Sequence, residues 1–188
     1  MRDRFLIATA LLGSLSLVAC RDDAPTATSS PTPNTARAAA LYAGRPAPGS
    51  LTLPPVGAFV STPVARGSFS DDIVLTLRLK GDYGTKVAHV NDMLDMVMAR
   101  ITIPSNSSLP WHTHPGPAFV TVTAGTLTFV DGETCTLRTY GVGQSFVDVG
   151  QGHVHTAYSG SAETVLYVTY VGVPPGTSPL LPTTNPGC

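Results

Sequence analysis

The sequence predicts an all-β domain, built as a sandwich or a barrel of short strands. The chain of 188 residues contains 18 glycines and 17 prolines, which favour turns and interrupt long helices. Several short segments alternate hydrophobic and polar side chains, as half-buried strands do. Only residues 91–100 could also be read as a helix, and the β-forming residues 101–103 that follow favour a strand there.

Charge and hydropathy narrow the class of protein. The formal net charge is −1, from 11 Lys and Arg against 12 Asp and Glu. This balance argues against a nucleic-acid partner and against an acidic tail. Charged residues make up 12% of the chain, against about a quarter in typical proteins. A hydrophobic fraction of 43% is enough to form a buried core, so the chain is not wholly disordered.

Residues 1–19 have the features of a secretory signal peptide. Arg2 and Arg4 precede an apolar run over residues 5–18, which is shorter than the roughly 20 residues of a bilayer-spanning helix. Residues 17–20, LVAC, resemble the lipobox of bacterial lipoproteins, in which the chain is cut before the Cys. The resemblance implies that Cys20 carries a lipid anchor in a membrane. An ordinary signal peptide with a chance cysteine is the alternative.

The rest of the chain divides into three parts outside the cytoplasm. Residues 20–55 are rich in Ala, Thr and Pro and form a disordered tether behind the anchor. Residues 56–173 form the folded domain, and residues 174–188 form a proline-rich tail that cannot add a central strand. Arg21 stands where many inner-membrane lipoproteins carry Asp, so we expect the outer membrane or the cell surface.

Within the domain, each predicted strand follows from a local pattern. Residues 73–80 alternate cleanly, with Ile73, Leu75, Leu77 and Leu79 on one face, and residues 80–84 form a turn. Residues 118–124 alternate again, with Ala118, Val120 and Val122 on one face. Asp131-Gly132 is a dipeptide typical of hairpins. The other predicted strands are residues 87–90, 96–103, 126–130, 146–149 and 164–172.

The three cysteines have separate expected roles. If Cys20 carries lipid, Cys135 and Cys188 remain in an oxidising compartment, where two leftover thiols usually pair. A Cys135–Cys188 disulfide would pin the tail across the domain. Two buried free thiols are the alternative.

Four of the five histidines form two close pairs, His112-x-His114 and His153-x-His155. In extended backbone, an H-x-H pair places both imidazoles on one face of the strand. Neutral imidazole is the commonest metal ligand, so the two pairs indicate a metal site. Hydrogen-bonded structural histidines are the alternative, and they are our expectation for the isolated His89.

The region 106–159 resembles the two motifs of the cupin superfamily. In the first motif, His112-x-His114 is followed at the family's distance by Gly125, while Asn106 replaces the leading Gly and Ala118 replaces the metal-binding Glu. The second motif is carried by Gly143, Gly150-x-Gly152 and His155. Gly150 replaces the family's Pro, Ser159 replaces its Asn, and the spacer is one residue longer. The motifs and the closing NPGC are similar to those of small secreted bacterial cupins without an assigned reaction.

The resemblance implies a cupin-type β-barrel, a double-stranded β-helix or jelly roll, with one divalent metal ion. His112, His114 and His155 would be the ligands, and Fe, Ni, Mn, Cu and Zn all accept imidazole. Because Ala118 offers no carboxylate, the metal keeps open positions and one more unit of positive charge, which favours an anionic ligand. His153 and Asp148 are candidate partners of the ligands. Trp111 and Tyr158 could wall the pocket or pack in the core.

The sequence therefore predicts an extracytoplasmic cupin that acts on or binds a small molecule at a three-histidine metal site. Dioxygenase-like and isomerase-like reactions are the candidate activities. A non-catalytic module that binds a small ligand or a metal at the cell surface is the alternative, because a fold alone does not define a function. The resemblance also implies a homodimer as one assembly state.

Overall fold

The computed structural model describes residues 51–81, 84–92 and 94–188 of the chain. The predicted signal peptide, the Cys20 anchor and residues 20–50 of the tether lie outside the described residues. Within those described, the chain forms twelve strands and no helix. The strands are β1 (Val60–Ser68), β2 (Leu75–Gly81), β3 (Gly84–Val90), β4 (Asp95–Ile103), β5 (His112–Thr113), β6 (Ala118–Ala124), β7 (Thr126–Asp131), β8 (Leu137–Gly141), β9 (Ser145–Asp148), β10 (His155–Ser159), β11 (Thr164–Val173) and β12 (Leu181–Pro182).

Ten of these strands form two five-stranded antiparallel sheets, in the orders β1-β4-β11-β6-β9 and β12-β5-β10-β7-β8. From β4 onward the chain passes back and forth between the two sheets, which is the connectivity of a jelly roll. The predicted all-β, jelly-roll class is therefore confirmed. The strands β2 and β3 form a separate hairpin.

The core lies between the two sheets and is built from alternate residues of the central strands. In β4, Val97, Ala99, Ile101 and Ile103 are buried while Met96 and Met98 are about one-third exposed. This burial pattern has a period of two, so residues 95–103 form a strand, as the β-forming residues at 101–103 predict. In β6, the inward face carries the predicted residues 118, 120 and 122.

The predicted strands match β2, β3, β4, β6, β7, β9 and β11 to within a few residues. Five strands were not predicted: β1, β5, β8, β10 and β12. All nine residues of β1 are exposed, so no hydrophobic alternation reveals it. The predicted turn at 80–84 includes residues 82 and 83, which lie outside the described part.

The tail follows the expectations drawn from its prolines and its cysteine. Cys135 and Cys188 form a disulfide, as predicted. The two-residue strand β12 pairs only with β5, at the edge of its sheet, where a proline is tolerated. No helix of the described residues is long and apolar enough to cross a membrane.

Candidate metal centre

Three histidine side chains meet inside the jelly roll. His112 in β5 and His155 in β10 are cross-strand partners, and His114 follows β5 on the same face as His112. A ligating nitrogen from each ring lies within 4.8 Å of those of the other two. The ring centroids are 4.3–5.0 Å apart, and each residue is no more than 4% exposed. The structure thus brings together the three residues predicted as ligands.

Hydrogen bonds fix the tautomer of these rings. The Nδ1–H of His112 donates to the carbonyl of Pro110 at 2.7 Å, and the Nδ1–H of His114 donates to the carbonyl of Pro179 at 2.8 Å. The Nδ1 atom of His155 lies 3.3 Å from the carbonyl of His153. Because a carbonyl can only accept, each Nδ1 keeps its proton and each Nε2 presents a lone pair. Metal-binding histidines in proteins are held in this way.

Electrostatics keep the three rings neutral. Burial lowers the pKa of His112 and of His114 to about 4, and neighbouring imidazoles contribute in the same direction. Burial likewise lowers the pKa of His155 to about 3. At neutral pH all three lone pairs are therefore free to bind a metal ion.

Beside the three rings lies a small cavity with mainly apolar walls. The space open to the centre of a water-sized sphere is about 30 Å³, which is enough for one or two water molecules. Asp148 and Tyr170 are its polar residues besides the histidines. The apolar walls come from both sheets and from the tail: Ile101, Leu109, Val120, Leu127, Phe129, Phe146, Ala157, Leu166, Val168 and Leu180.

Asp148 lines the cavity and lies on the Nδ1 side of His153 and His155. Its carboxylate accepts a hydrogen bond from His153 Nδ1 at 2.5 Å and lies 3.5 Å from His155 Nδ1. The backbone N–H of Gly150 also donates to it, at 2.8 Å. Burial alone would raise the pKa of Asp148, but the adjacent imidazoles of His155 and His153 hold it below its usual range. Asp148 therefore orients the rings around it as a carboxylate.

His153 is held between two buried carboxylates. Its Nε2 lies 3.3 Å from Asp131, and its Nδ1 contacts Asp148, so both ring nitrogens donate. Burial would lower the pKa of His153, but the hydrogen bonds to Asp131 and Asp148 raise it to about 9. Asp148, His153 and His155 also offer atoms within 4.8 Å of one another. His153 is nevertheless an imidazolium without a free lone pair, which makes it a partner of the centre and not a ligand.

The other predicted site residues do not line the cavity. Ala118 is fully buried in the core between its cross-strand partners Asp148 and Tyr170, and Val120 lines the cavity in its place. Trp111 and Tyr158 are half-buried and do not line it. His89 is exposed on β3, 3.3 Å from the hydroxyl of Thr76.

Two parts of the centre were not predicted. Tyr170 lines the cavity with its ring 5.0 Å from that of His114, and burial raises the pKa of its phenol. The alternation of Leu166, Val168 and Tyr170 in β11 could have indicated that it faces inward. The second part is the tail, whose Pro179 and Leu180 contact the centre. No local pattern in the sequence identifies this contact.

Two substitutions in the motifs have a backbone explanation. Asn106, at the position where the cupin motif has a glycine, has a φ of +51°. This lies in the left-handed region, which asparagine tolerates better than most residues. Gly150, at the position where the cupin motif has a proline, has a φ of +63°, which a proline ring cannot adopt. A Cβ at Gly150 would also lie 2.0 Å from the carbonyl oxygen of Gly116. The loop that leads to His153 and His155 therefore requires glycine here.

No protein-family model matches the sequence, and no curated protein matches it. Solved structures with partial similarity include a cupin-like protein from Thermotoga maritima (16% identity, 48% of this chain and 65% of that one, TM-score 0.40). The polyketide cyclase RemF from Streptomyces resistomycificus is 18% identical over 48% of this chain and 64% of that one (TM-score 0.38). The DMSP lyase DddQ from Ruegeria pomeroyi is 22% identical over 57% of this chain and 51% of that one (TM-score 0.41). Each match spans less than two thirds of the solved chain.

Proposed function

We propose that this chain is a single-domain cupin that holds one divalent metal ion through His112, His114 and His155. One observation carries the proposal: three buried, neutral imidazoles converge while each Nδ1 faces an acceptor on its outer side. A site with three imidazole ligands suits Fe(II), Ni(II), Mn(II), Cu(II) or Zn(II). Such an ion would supply Lewis acidity at positions that the protein leaves open.

The residues around the centre support action on a small molecule. The cavity is apolar except for the histidines, Asp148 and the phenol of Tyr170. Apolar walls lower the local dielectric and so strengthen the attraction between a metal ion and an anionic oxygen or sulfur. We therefore propose a small, partly apolar anion as the ligand, with a dioxygenase-like or isomerase-like reaction as the activity.

A second candidate function is a non-catalytic module that binds a metal or a small ligand. The size of the cavity favours it, since a space of about 30 Å³ for the centre of a water-sized sphere suits a ligand of few atoms better than a large organic substrate. Oxygen uptake by the Fe(II)-loaded protein with diketones, flavonols and thiols would distinguish the two. Uptake with any of them supports a dioxygenase-like enzyme. Neither oxygen uptake nor any isomerised product by NMR, at full metal loading, supports the binding module.

We further propose that the protein works outside the cytoplasm on a lipid anchor. The basic and apolar residues 1–19 and the lipobox-like residues ending in Cys20 support this proposal. A Cys135–Cys188 disulfide is also typical of proteins in oxidising compartments. Mass spectrometry of the N-terminal peptide from membranes tests it: a diacylglyceryl Cys20 is expected, and an unmodified Met1 or Cys20 would contradict it.

Metal content of purified variants tests the proposed ligands. After dialysis against metal-free buffer, His112→Ala, His114→Ala and His155→Ala should each retain less than about a tenth of the metal of the unmodified chain. Loss of a ligand weakens metal affinity at least as much as loss of a residue that orients one, which costs about 10- to 100-fold. His89→Ala is the matched control and should retain it, because this exposed side chain lies outside the cluster. Full metal in all three ligand variants, or none in the unmodified chain after loading, would overturn the proposed site.

A further inference from the structure

The tail, residues 174–188, lies directly against the three-histidine centre. Its Pro179 carbonyl accepts the Nδ1–H of His114, and Leu180 forms part of the cavity wall. Leu181 and Pro182 pair with Thr113 and His112 in β5. The tail therefore contacts two of the three proposed ligands, although it comes at least 60 residues after them in the chain.

The start of the tail is fastened by Arg66 of β1. The guanidinium of Arg66 donates to the carbonyl of Pro174 at 2.7 Å and to that of Thr177 at 2.9 Å. Asp95 holds the same guanidinium from the other side, 2.5 Å from its Nε. This pair fixes the tail where it leaves β11.

The end of the tail is fastened by the disulfide between Cys188 and Cys135. Nearby, the side chain of Asn185 accepts the N–H groups of Gly187 and Cys188, which shapes the last turn. The carbonyl of Cys188 accepts the N–H of Leu51 at 3.1 Å. The terminus is therefore bonded to the domain at several atoms.

Between the two fastenings the tail has little hydrophobic anchorage of its own. Cys188 is its only buried residue, and residues 175–178 and 181–187 are exposed. Five prolines reduce its ability to pair with β5 beyond β12. Its position over the cavity thus depends on Arg66 and on the disulfide more than on packing.

We propose that the tail is a fastened cover of the metal centre, which orients His114 through Pro179 and closes the cavity with Leu180. This inference rests on the proposed metal site. Release of either fastening frees the Pro179 carbonyl from His114, opens one wall of the cavity and speeds metal exchange. Because one fastening is a disulfide, metal retention depends on the oxidation state of the Cys135–Cys188 pair.

Metal release from the Co(II)-loaded protein tests the cover. The release rate to a chromogenic chelator should rise at least 10-fold in the Cys135→Ser/Cys188→Ser double variant and several-fold in Arg66→Gln. Arg78→Gln is the matched control, because Arg78 is an exposed arginine on β2. The optical d–d bands of Co(II) should shift in the first two variants only, since the orientation of His114 changes there. Release rates within twofold of the unmodified protein in both fastening variants would overturn the inference.

Reduction of the unmodified protein by a water-soluble phosphine covers the case in which the double variant does not fold. The phosphine transfers two electrons to the disulfide, each sulfur leaves with a proton from water, and the phosphine becomes its oxide with the oxygen of that water. The reduced protein should release Co(II) at least 10-fold faster than the oxidised protein, and release rates within twofold of each other would overturn the inference.

Amide hydrogen exchange separates this inference from the proposed metal site, because it needs no metal. The Thr183 amide donates to the Trp111 carbonyl at 2.9 Å, so residues 111–114 and 181–183 should exchange at least 10-fold faster after reduction. Strands β4 and β11 should keep their protection. If the unmodified chain binds no metal, the proposed function fails, and amide hydrogen exchange alone then tests whether the tail is fastened over the cavity. Unchanged exchange in both segments would overturn it.

Discussion

The metal-free protein should lose stability steeply between pH 7.5 and pH 5. The change to make is removal of metal with a chelator, followed by urea unfolding across this pH range. The physical reason lies in the three buried imidazoles, whose pKa values fall to about 4 for His112 and His114 and about 3 for His155. In the unfolded chain these histidines protonate near pH 6.5.

The sign follows from proton linkage. Where the unfolded state binds more protons than the folded state, stability falls as the pH falls. At pH 5 each of the three rings is neutral when folded and charged when unfolded, which costs about 2 kcal/mol per ring, or about 6 kcal/mol together. The pKa of His153 is raised to about 9, so the stability that this residue contributes is lost as the pH rises. When the pH falls from 7.5 to 5, this contribution grows by about 1.5 kcal/mol and offsets part of the loss. The net expected loss is about 4.5 kcal/mol, a large fraction of a typical domain's stability.

The assay needs one variant and one direct titration. His112→Gln removes one buried imidazole and should reduce the pH-dependent loss by about 2 kcal/mol. Proton NMR of the imidazole C–H groups in the metal-free protein should show three rings that do not protonate above pH 5 and one that titrates near pH 9. A stability loss below about 1 kcal/mol, or protonation of all three rings near pH 6.5, would refute the burial argument.

Two further predictions concern the disulfide and the core. Replacing Cys135 and Cys188 by Ala should lower the free energy of unfolding by up to about 4 kcal/mol, because the disulfide closes a loop with a sequence separation of 53. Equal urea midpoints for the two proteins would contradict this. Ala118→Glu should destabilise the metal-free protein by about 3 kcal/mol or more, because it buries a second carboxylate beside Asp148. Calorimetry with and without Co(II) measures it, and an unchanged melting temperature in both would show that position 118 is not packed as described.

Local patterns predicted the parts of the fold in which one face of a strand is buried and the other is wet. In β4 and β6, alternate burial along the strand reproduces the alternation of the sequence. The same logic fails for β1, which is exposed on both faces, and for β10, which is buried at four of its five residues. In neither strand does burial alternate from one residue to the next, so the sequence pattern does not reveal the strand.

The candidate site was predictable to the extent that its residues are close in sequence. The two H-x-H pairs predicted a cluster of histidines, and the resemblance to the cupin motifs selected His112, His114 and His155, which the structure brings together. The contact between Pro179 and His114 joins backbone and side chain across 65 residues, so no residue type marks it in the sequence. The disulfide that holds the end of the tail was predicted from the cysteines, whereas the contacts of Arg66 with the carbonyls of Pro174 and Thr177 were not.

The charges around the centre indicate how it is affected by having Ala118 where the cupin motif has a carboxylate. A carboxylate is still present on the neighbouring strand, because Asp148 is the cross-strand partner of Ala118. That carboxylate is already paired with the His153 imidazolium at 2.5 Å, and Asp131 on the other side of the same ring is itself paired with Lys86 at 3.4 Å and Arg138 at 3.3 Å. Its charge is therefore largely compensated before any metal binds, and the three neutral histidines add none. A divalent ion held there would keep most of its charge inside apolar walls, where attraction to an anion is far stronger than in water. Ligand affinity should therefore rise with the negative charge of the ligand, and an affinity independent of that charge in the Co(II)-loaded protein would contradict this balance.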